Sequence, residues 1–410
     1  MSAVRARELT VRRVVSAVIL AGLAAAFVQR AVYNRSRIDF VNSNFAFFWL
    51  AGRMVLTGGN PYDADQWRPQ QEANNITWRP DRNFLYPLPL AVFLAPLGFL
   101  SLADAYLAWQ LASSMIMLTT VWLLLSHEKS PRYPPMLLPL GLFLLFFGPS
   151  FLTLQIGALG AFTLGTILVS MYALKHERQL LAGVALSLTL LKPPQAVPIL
   201  VLACVWFVAR RSWPAIAGIG VGAAALLVTG WALDAHWIAK FSAVGSALVE
   251  RSLGLHANTF GLAYHACSGS EGCMWITGGV AAAAILTLTS VHLWKHAHDA
   301  SPWEALNLIV PTAFVSTLYL WSYDQVLYLL PIVWIVLRLI DRTGSYVAPV
   351  LFLAVLVLVS FASLLIQANT RSDLLSAVTS ALVISGCLAL RSGKSIASPR
   401  SSDSEVGAAA

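Results

Sequence analysis

Apolar runs recur along the chain from Val14 to Leu390, separated by short polar or basic turns. The first covers roughly residues 12–31, and others cover roughly 84–100, 104–126 and 136–153. Runs of this kind, long and poor in charge, predict helices that cross a bilayer. The expected fold is an all-α polytopic membrane protein made as one domain over residues 1–391. Basic clusters fall at every second turn: residues 5–13, 175–178, 210–211, 295–298, 338–342 and 391–394. The positive-inside rule puts these turns and both termini in the cytoplasm. The loop at 33–85, the turns at Gln155 and Lys192, the loop at 234–274 and the turns at Asp324 and Asn369 are then external. Parity leaves two crossings for the three stretches between residues 84 and 153. Stretch 84–100 carries Pro87, Pro89 and Pro96, which weaken a regular helix. It is expected to be re-entrant or broken, lining a cavity, because broken backbone at membrane depth needs protein or water to cover it. The expected total is about twelve crossings plus that segment.

Two local patterns stand out. Residues 180–191 and 195–209 are short apolar segments meeting at Leu191-Lys192-Pro193-Pro194, which reads as a helical hairpin with a lysine at its tip. The stretch from Asp39 to Tyr62 opens with a carboxylate and the capping cluster Asn42-Ser43-Asn44. A mostly apolar helix follows, with Arg53 its single charge. Gly58-Gly59 stop it and Asn60-Pro61-Tyr62 turn the chain. Such a helix is too short to span a bilayer, and it is expected to lie in the membrane surface.

Composition narrows the class. Of 410 residues, 58% are hydrophobic and 11% charged, against about 25% charged in soluble domains. The net charge of +8 sits mostly in short loops, where it sets topology and attracts anionic headgroups. No basic stripe with interleaved aromatics is present, which argues against nucleic acid as a partner. Residues 5–28 have the outline of a signal peptide, but no cleavage site follows, so they read as an uncleaved first span in a multi-pass plasma-membrane protein. Cys204 and Cys387 lie in apolar segments. Cys267 and Cys273 share the second external loop, as a disulfide or as two thiols. The tail at 392–410 is rich in Ser, Gly and Ala and reads as disordered.

Several short motifs carry a family likeness. Asp39-Phe40, the aromatic helix and Gly58-Gly59-Asn60-Pro61-Tyr62 resemble the first external loop of glycosyltransferase family 87. Leu154-Gln155-Ile156-Gly157, Leu191-Lys192-Pro193 and Tyr323-Asp324-Gln325 extend the likeness over roughly residues 10–340. The family consists of membrane enzymes of the GT-C type. The resemblance implies a polyprenyl-phosphate sugar donor, mannose or a related hexose, a lipid or glycan acceptor in the cell envelope, and transfer with inversion on the external side.

The residues fit such chemistry in part. Asp39 suits the general base that takes the acceptor proton; it equally suits a helix cap or a solvated interface charge. Lys192, a cation among prolines and apolar residues, suits the donor phosphate; snorkelling or pairing with Asp324 would also account for it. Asp324 suits sugar hydroxyls or acceptor orientation, or a helix cap. Gln155 and Tyr323 lie on the same side as further substrate contacts. Tyr62 suits stacking on a sugar or a role in shaping its loop. Arg53, Arg79, Arg82 and Arg251 are further phosphate candidates. His256 and His265 lie in the second external loop, where His256 is a substrate-binding candidate; their separation is poor for a metal pair. Asp63 and Asp65 form a D-x-D, but it follows a turn, and a lipid-phosphate donor brings no pyrophosphate. No metal or cofactor is expected. The competing class is a transporter or flippase for a lipid-linked sugar, since broken helices and buried charges also mark transporters. Against it, the irregular elements gather on one side and show no match between two halves.

Overall fold

The computed structural model describes residues 3–37, 39, 41, 43–76, 84–127 and 134–391, and for residues 3–13 and 253 the backbone alone. The tail at 392–410, Arg79 and Arg82, and the basic turn with Lys129 and Arg132 lie outside the described residues. Among those described, every regular element is helical.

The chain enters as α1 (Ala3–Arg37), followed by α2 (Asn44–Leu56), α3 (Ala64–Ala73) and α4 (Leu88–Leu94), which tightens into a 3-10 turn over Ala95–Phe99. Next come α5 (Leu102–His127), α6 (Leu137–Phe146), α7 (Gly148–Ile156) and α8 (Gly160–Lys175). Then α9 (Gln179–Ser187), α10 (Pro193–Ala209), α11 (Trp213–Leu233), α12 (Trp237–Ser252) and α13 (Thr259–Ala266). The chain closes with α14 (Glu271–Lys295), α15 (Pro302–Val315), α16 (Leu329–Thr343), α17 (Val347–Thr370) and α18 (Ala377–Arg391).

Seven helices among the described residues are long and apolar enough to cross a membrane, or eight when α6 and α7 count as one span bent by 55°. The bend has a local cause. Phe147 is extended, Pro149 opens α7, and the freed Gly148 N–H bonds the Ser360 hydroxyl at 3.0 Å. Apolar side chains of α11, α14 and α17 are widely exposed, with Val228, Ile276 and Leu358 each at least 60% accessible. Water would penalise that surface; lipid does not. At the centre stands α16, whose residues from Leu329 to Leu337 are all buried. A helix that is apolar all round belongs inside the protein. It packs against α5, α15, α17 and α18.

A second core caps one end of this bundle. It joins α2, α4 and the start of α5 with Trp67, Leu159, Leu191 and Trp237. Ser43 caps α2, accepting the Ala46 N–H. Gly58 (φ +76°) and Gly59 end it, with the Gly59 N–H bonded to the Met54 carbonyl. Here the structure corrects the sequence expectation. α2 does not present its apolar residues to lipid: nine of them, among them Phe45, Phe48 and Trp49, are buried in protein. Its cover is the 88–99 segment, a short helix that tightens from α to 3-10 at Ala95 without the break that the prolines led one to expect. The pair approaches so closely that a Cβ on Gly52 would come within 2.8 Å of the Leu94 backbone.

The predicted hairpin is present. α9 tightens into a 3-10 turn at Leu188–Leu191, Lys192 sits at the tip, and Pro193 opens α10. α9 lies along α11 at backbone contact, permitted by Gly183, Gly218 and Gly222. The opposite end of the bundle gathers the basic residues. Arg210 bonds the Ala297 and Ala300 carbonyls, Arg338 pairs with Glu304, and Arg391 bonds the Glu304 carbonyl.

Candidate functional site

The capped end brings four turns together around Lys192. Its ammonium pairs with the Asp324 carboxylate and lies 4.9 Å from the centre of the Tyr323 ring. Both charged side chains are essentially inaccessible, at 4% and 0%. The prolines hold the tip: Pro193 fixes the helix start, and the Pro194 carbonyl accepts the Thr317 hydroxyl. Asp324 lies in a 3-10 turn spanning Ser322–Tyr328, and its second oxygen accepts the Trp321 N–H at 3.3 Å. Removing two charges from water costs several kcal/mol per ion unless geometry and hydrogen bonds compensate. Burial at a tip where the backbone is already irregular fits a site that exchanges one partner of the pair for a charged ligand.

Three further residues brace this turn. His256 lies under it with both ring nitrogens engaged, Nδ1 with the Leu320 carbonyl at 2.8 Å and Nε2 with the Ser252 hydroxyl at 2.9 Å. Bonding a carbonyl requires a proton on Nδ1, and the one Ser252 hydroxyl proton is shared between Nε2 and the Leu248 carbonyl, itself 2.8 Å away. Burial pulls the His256 pKa down to about 4, although the Leu320 carbonyl and Asp324 act in the other direction. Asp373 accepts the Ser322 N–H, and its own N–H bonds the Leu255 carbonyl at 2.9 Å. One Asp373 oxygen is buried with no partner among the described residues. Burial lifts this carboxyl to about 7, against the hydrogen bonds from Ser322 and with a further push from Asp324. Gln325 donates to the Ser376 carbonyl at 2.9 Å and closes the same junction.

Above Lys192 lies a cleft of about 60 Å³, lined by Tyr86, Pro193 and Tyr319 on one side and by Phe241, Leu248 and Val249 of α12 on the other. Tyr62 shapes its edge by donating to the Tyr86 carbonyl. Burial, with Asp234 adding to it, keeps the Tyr62 phenol protonated. Asn60 ties the same loop to Asp234 at 2.6 Å, and Lys240 of α12 pairs with that carboxylate at 2.6 Å. Burial pushes Asp234 up, but bonds from Lys240, the His236 N–H and Asn60 prevail and hold it at about 2.

Other sequence candidates have different surroundings. Asp39 is exposed beyond the end of α1 and is not among the residues lining the cleft. The same end of α1 is tied to α5 through Asn34 with Gln110 and Arg35 with Asp104. The main-chain carbonyl of Gln155 accepts the Tyr106 hydroxyl, while Thr153 donates to the Tyr323 carbonyl at 2.8 Å. Arg53 is held by the Gly98 carbonyl and the Trp49 ring. Asp63 caps α3 by accepting the Asp65 N–H. Arg251 and His265 are exposed, the latter bonded to the Gly254 carbonyl. Cys267 and Cys273 form a disulfide. Asp373 and Tyr86 escaped sequence reasoning. The one sign of Asp373 is that it is a carboxylate in a turn beside Asn369, and Tyr86 is masked by the proline-rich run around it.

An all-helical membrane bundle with a buried ion pair at a broken hairpin tip is a frame that enzymes and transporters share, and the comparison with known proteins separates them. The model of glycosyltransferase family 87 matches residues 84–318, more than half of the chain. The chain belongs to that family and is a membrane glycosyltransferase. The match takes in Gln155, Lys192 and His256; the Asp39–Tyr62 stretch precedes it and Asp324 follows it. Neither the curated proteins nor the solved structures give a match.

Proposed function

We propose that the protein transfers a hexose from a polyprenyl-phosphate carrier to an envelope acceptor, at the external face of the plasma membrane. The observation that carries this reading is the Lys192–Asp324 pair, a cation buried at the tip of a proline-broken hairpin and paired with a carboxylate. A phosphate-linked donor suits Lys192, because charge builds on the phosphate oxygen as the bond to the anomeric carbon breaks. The acceptor oxygen attacks that carbon from the opposite face, its proton passes to a carboxylate, and the anomeric centre inverts. Mannose is the hexose that the resemblance implies. The topology that goes with this reading has about twelve crossings, the shorter apolar helices α8, α9 and α10 included, with the basic end cytoplasmic.

Asp39 is the base in the first reading, exposed as an acceptor site requires. Asp324 is the base in a second, favoured by its contact with Lys192, because a phosphate taking Lys192 would release it. The test is transfer of label from polyprenyl-phosphate mannose to total envelope lipid in reconstituted vesicles. Asp39→Asn is expected to lower turnover by about 100- to 10,000-fold with unchanged thermal stability. Full turnover in Asp39→Asn, with loss in Asp324→Asn, would move the base to Asp324. Passage of donor across the bilayer without transfer to any acceptor would overturn the catalytic reading in favour of transport.

A further inference from the structure

A large cavity lies at the far end of the bundle from Lys192. It measures about 650 Å³ and is lined by Lys175 and Glu177 after α8, Gln179 opening α9, Trp206 and Arg210 closing α10, and Ser212 before α11. Arg210 is fixed at its base. One Nη donates to the Ala297 carbonyl at 2.7 Å and to the Ala300 carbonyl at 3.2 Å, and the guanidinium lies 4.9 Å from the centre of the Trp206 ring. Ser212 is buried at the head of α11 yet makes no side-chain cap. Tyr172 also lines the cavity, and it is shared with a second groove of about 230 Å³ formed by Val169, Ala173 and Leu181 with His176 and Arg178. Val169, Tyr172 and Leu181 are about half exposed, and Leu180 and Trp213 continue the apolar rim.

The two spaces differ in the way an amphiphile does. The cavity offers Arg210, Lys175, hydroxyls and the N-terminus of α11, a set that matches a phosphate. The groove offers an apolar wall on the lipid-facing side of α8 and α9, edged by Arg178. Basic pockets between helices near the membrane boundary hold anionic headgroups. We propose that this end binds one phosphate-headed lipid, its head in the Arg210–Lys175 cavity and its chain along Val169, Ala173 and Leu181. The site is independent of the catalytic reading, since it shares no residue with the Lys192 cleft. The phosphate comes from bulk anionic phospholipid or from a polyprenyl phosphate.

Glu177 sets up the test. It is the carboxylate in the lining, exposed and on a left-handed turn (φ +59°), so charge there is altered without disturbing packing. The full chain would be purified in detergent and followed by native mass spectrometry with dioleoyl phosphatidylglycerol, polyprenyl monophosphate or dioleoyl phosphatidylcholine. One tightly retained phosphatidylglycerol or polyprenyl phosphate, and no retained phosphatidylcholine, is expected. Lys175→Gln should weaken retention about fivefold and Glu177→Lys should strengthen it by a similar factor. Arg210→Gln should abolish it. Because that variant also frees two carbonyls, the exposed pair Lys175→Gln and Glu177→Lys decides the matter. Preference for one lipid in direct competition identifies the source. Equal retention of phosphatidylcholine, or retention unmoved by both exposed variants, would overturn the proposal.

Discussion

Lys192 and Asp324 bind each other in almost complete burial, so removing one partner strands the other. Lys192→Met alone should destabilise the fold by about 3–5 kcal/mol, the usual result of breaking a buried pair. The double variant Lys192→Met/Asp324→Leu removes both charges and should recover most of that loss in thermal unfolding, because an apolar replacement of a buried pair is often neutral or stabilising. It should not recover transfer, and a double variant that turned over normally would make the pair structural. Asp373 supports a second prediction, in pH. An unfolded aspartate titrates near 4, whereas the folded carboxyl titrates at about 7. Between those values the folded protein holds a proton that the unfolded chain has released, so raising the pH through that window destabilises the fold. Below the window the penalty is absent, and above it the penalty is complete. Asp373→Asn keeps an acceptor for the Ser322 N–H and cannot ionise. Its midpoint, relative to the native protein, should therefore rise steadily from pH 4 to pH 7; a constant difference across that range would remove Asp373 from the pH response. The two residues were not equally legible. Lys192 stands out because a cation amid prolines and apolar residues is costly anywhere in a membrane. Asp373 acts on a partner 51 residues away in sequence, and nothing local records that contact.

At the scale of elements, the proposed function requires α12 to move. A cleft of about 60 Å³ has room for only about two waters, far less than a sugar phosphate. α12 covers it with Phe241, Leu248 and Val249, yet only Trp237 and Ser252, at its two ends, are buried. A helix with so little buried surface belongs to the low-stability part of a protein, from which lids are drawn. Gly245 faces the cleft and has no heavy atom within 4 Å of an added Cβ. Gly245→Trp should therefore fold normally and block entry, with transfer reduced at least tenfold and thermal stability unchanged. Normal transfer in that variant would mean that substrate reaches Lys192 by another route. The elements also show where pattern reading failed. α2 was expected at the membrane surface because it is short and apolar, but its apolar residues occupy every face of the helix, which is the pattern of a buried helix. The partner that buries it, α4 and its 3-10 extension, is one short helix that tightens beside Pro96, a local effect of proline. Their packing against each other depends on Gly52 and Gly98, and a glycine inside a helix does not announce its neighbour.

For the whole molecule, the two ends are chemically distinct, and that difference predicts orientation. One end collects Arg210, Arg338, Arg342 and Arg391. The other collects the buried ion pair, the α2 cap and the Cys267–Cys273 disulfide. The positive-inside rule and the disulfide are independent arguments, one concerning insertion and the other redox chemistry. Both argue for the orientation that goes with the proposed function, the basic end cytoplasmic and the Lys192 end external. This alternation of turns was visible in the sequence, since charge in short loops needs no tertiary contact to be read. The number of crossings was less so, because α8, α9 and α10 are apolar but shorter than a normal span. Orientation is open to a direct test. With Cys204 and Cys387 replaced by alanine, single cysteines would be placed at the exposed positions Asn369, in the last turn of α17, and Lys295, at the end of α14. A membrane-impermeant maleimide should label Asn369→Cys in intact cells, and Lys295→Cys only after the membrane is opened. The reverse pattern would put the Lys192 cleft in the cytoplasm, where the donor sugar would have to be a cytoplasmic-leaflet lipid. Labelling of both positions in intact cells would require an odd number of crossings between α14 and α17, and one of α15 or α16 would then fail to span.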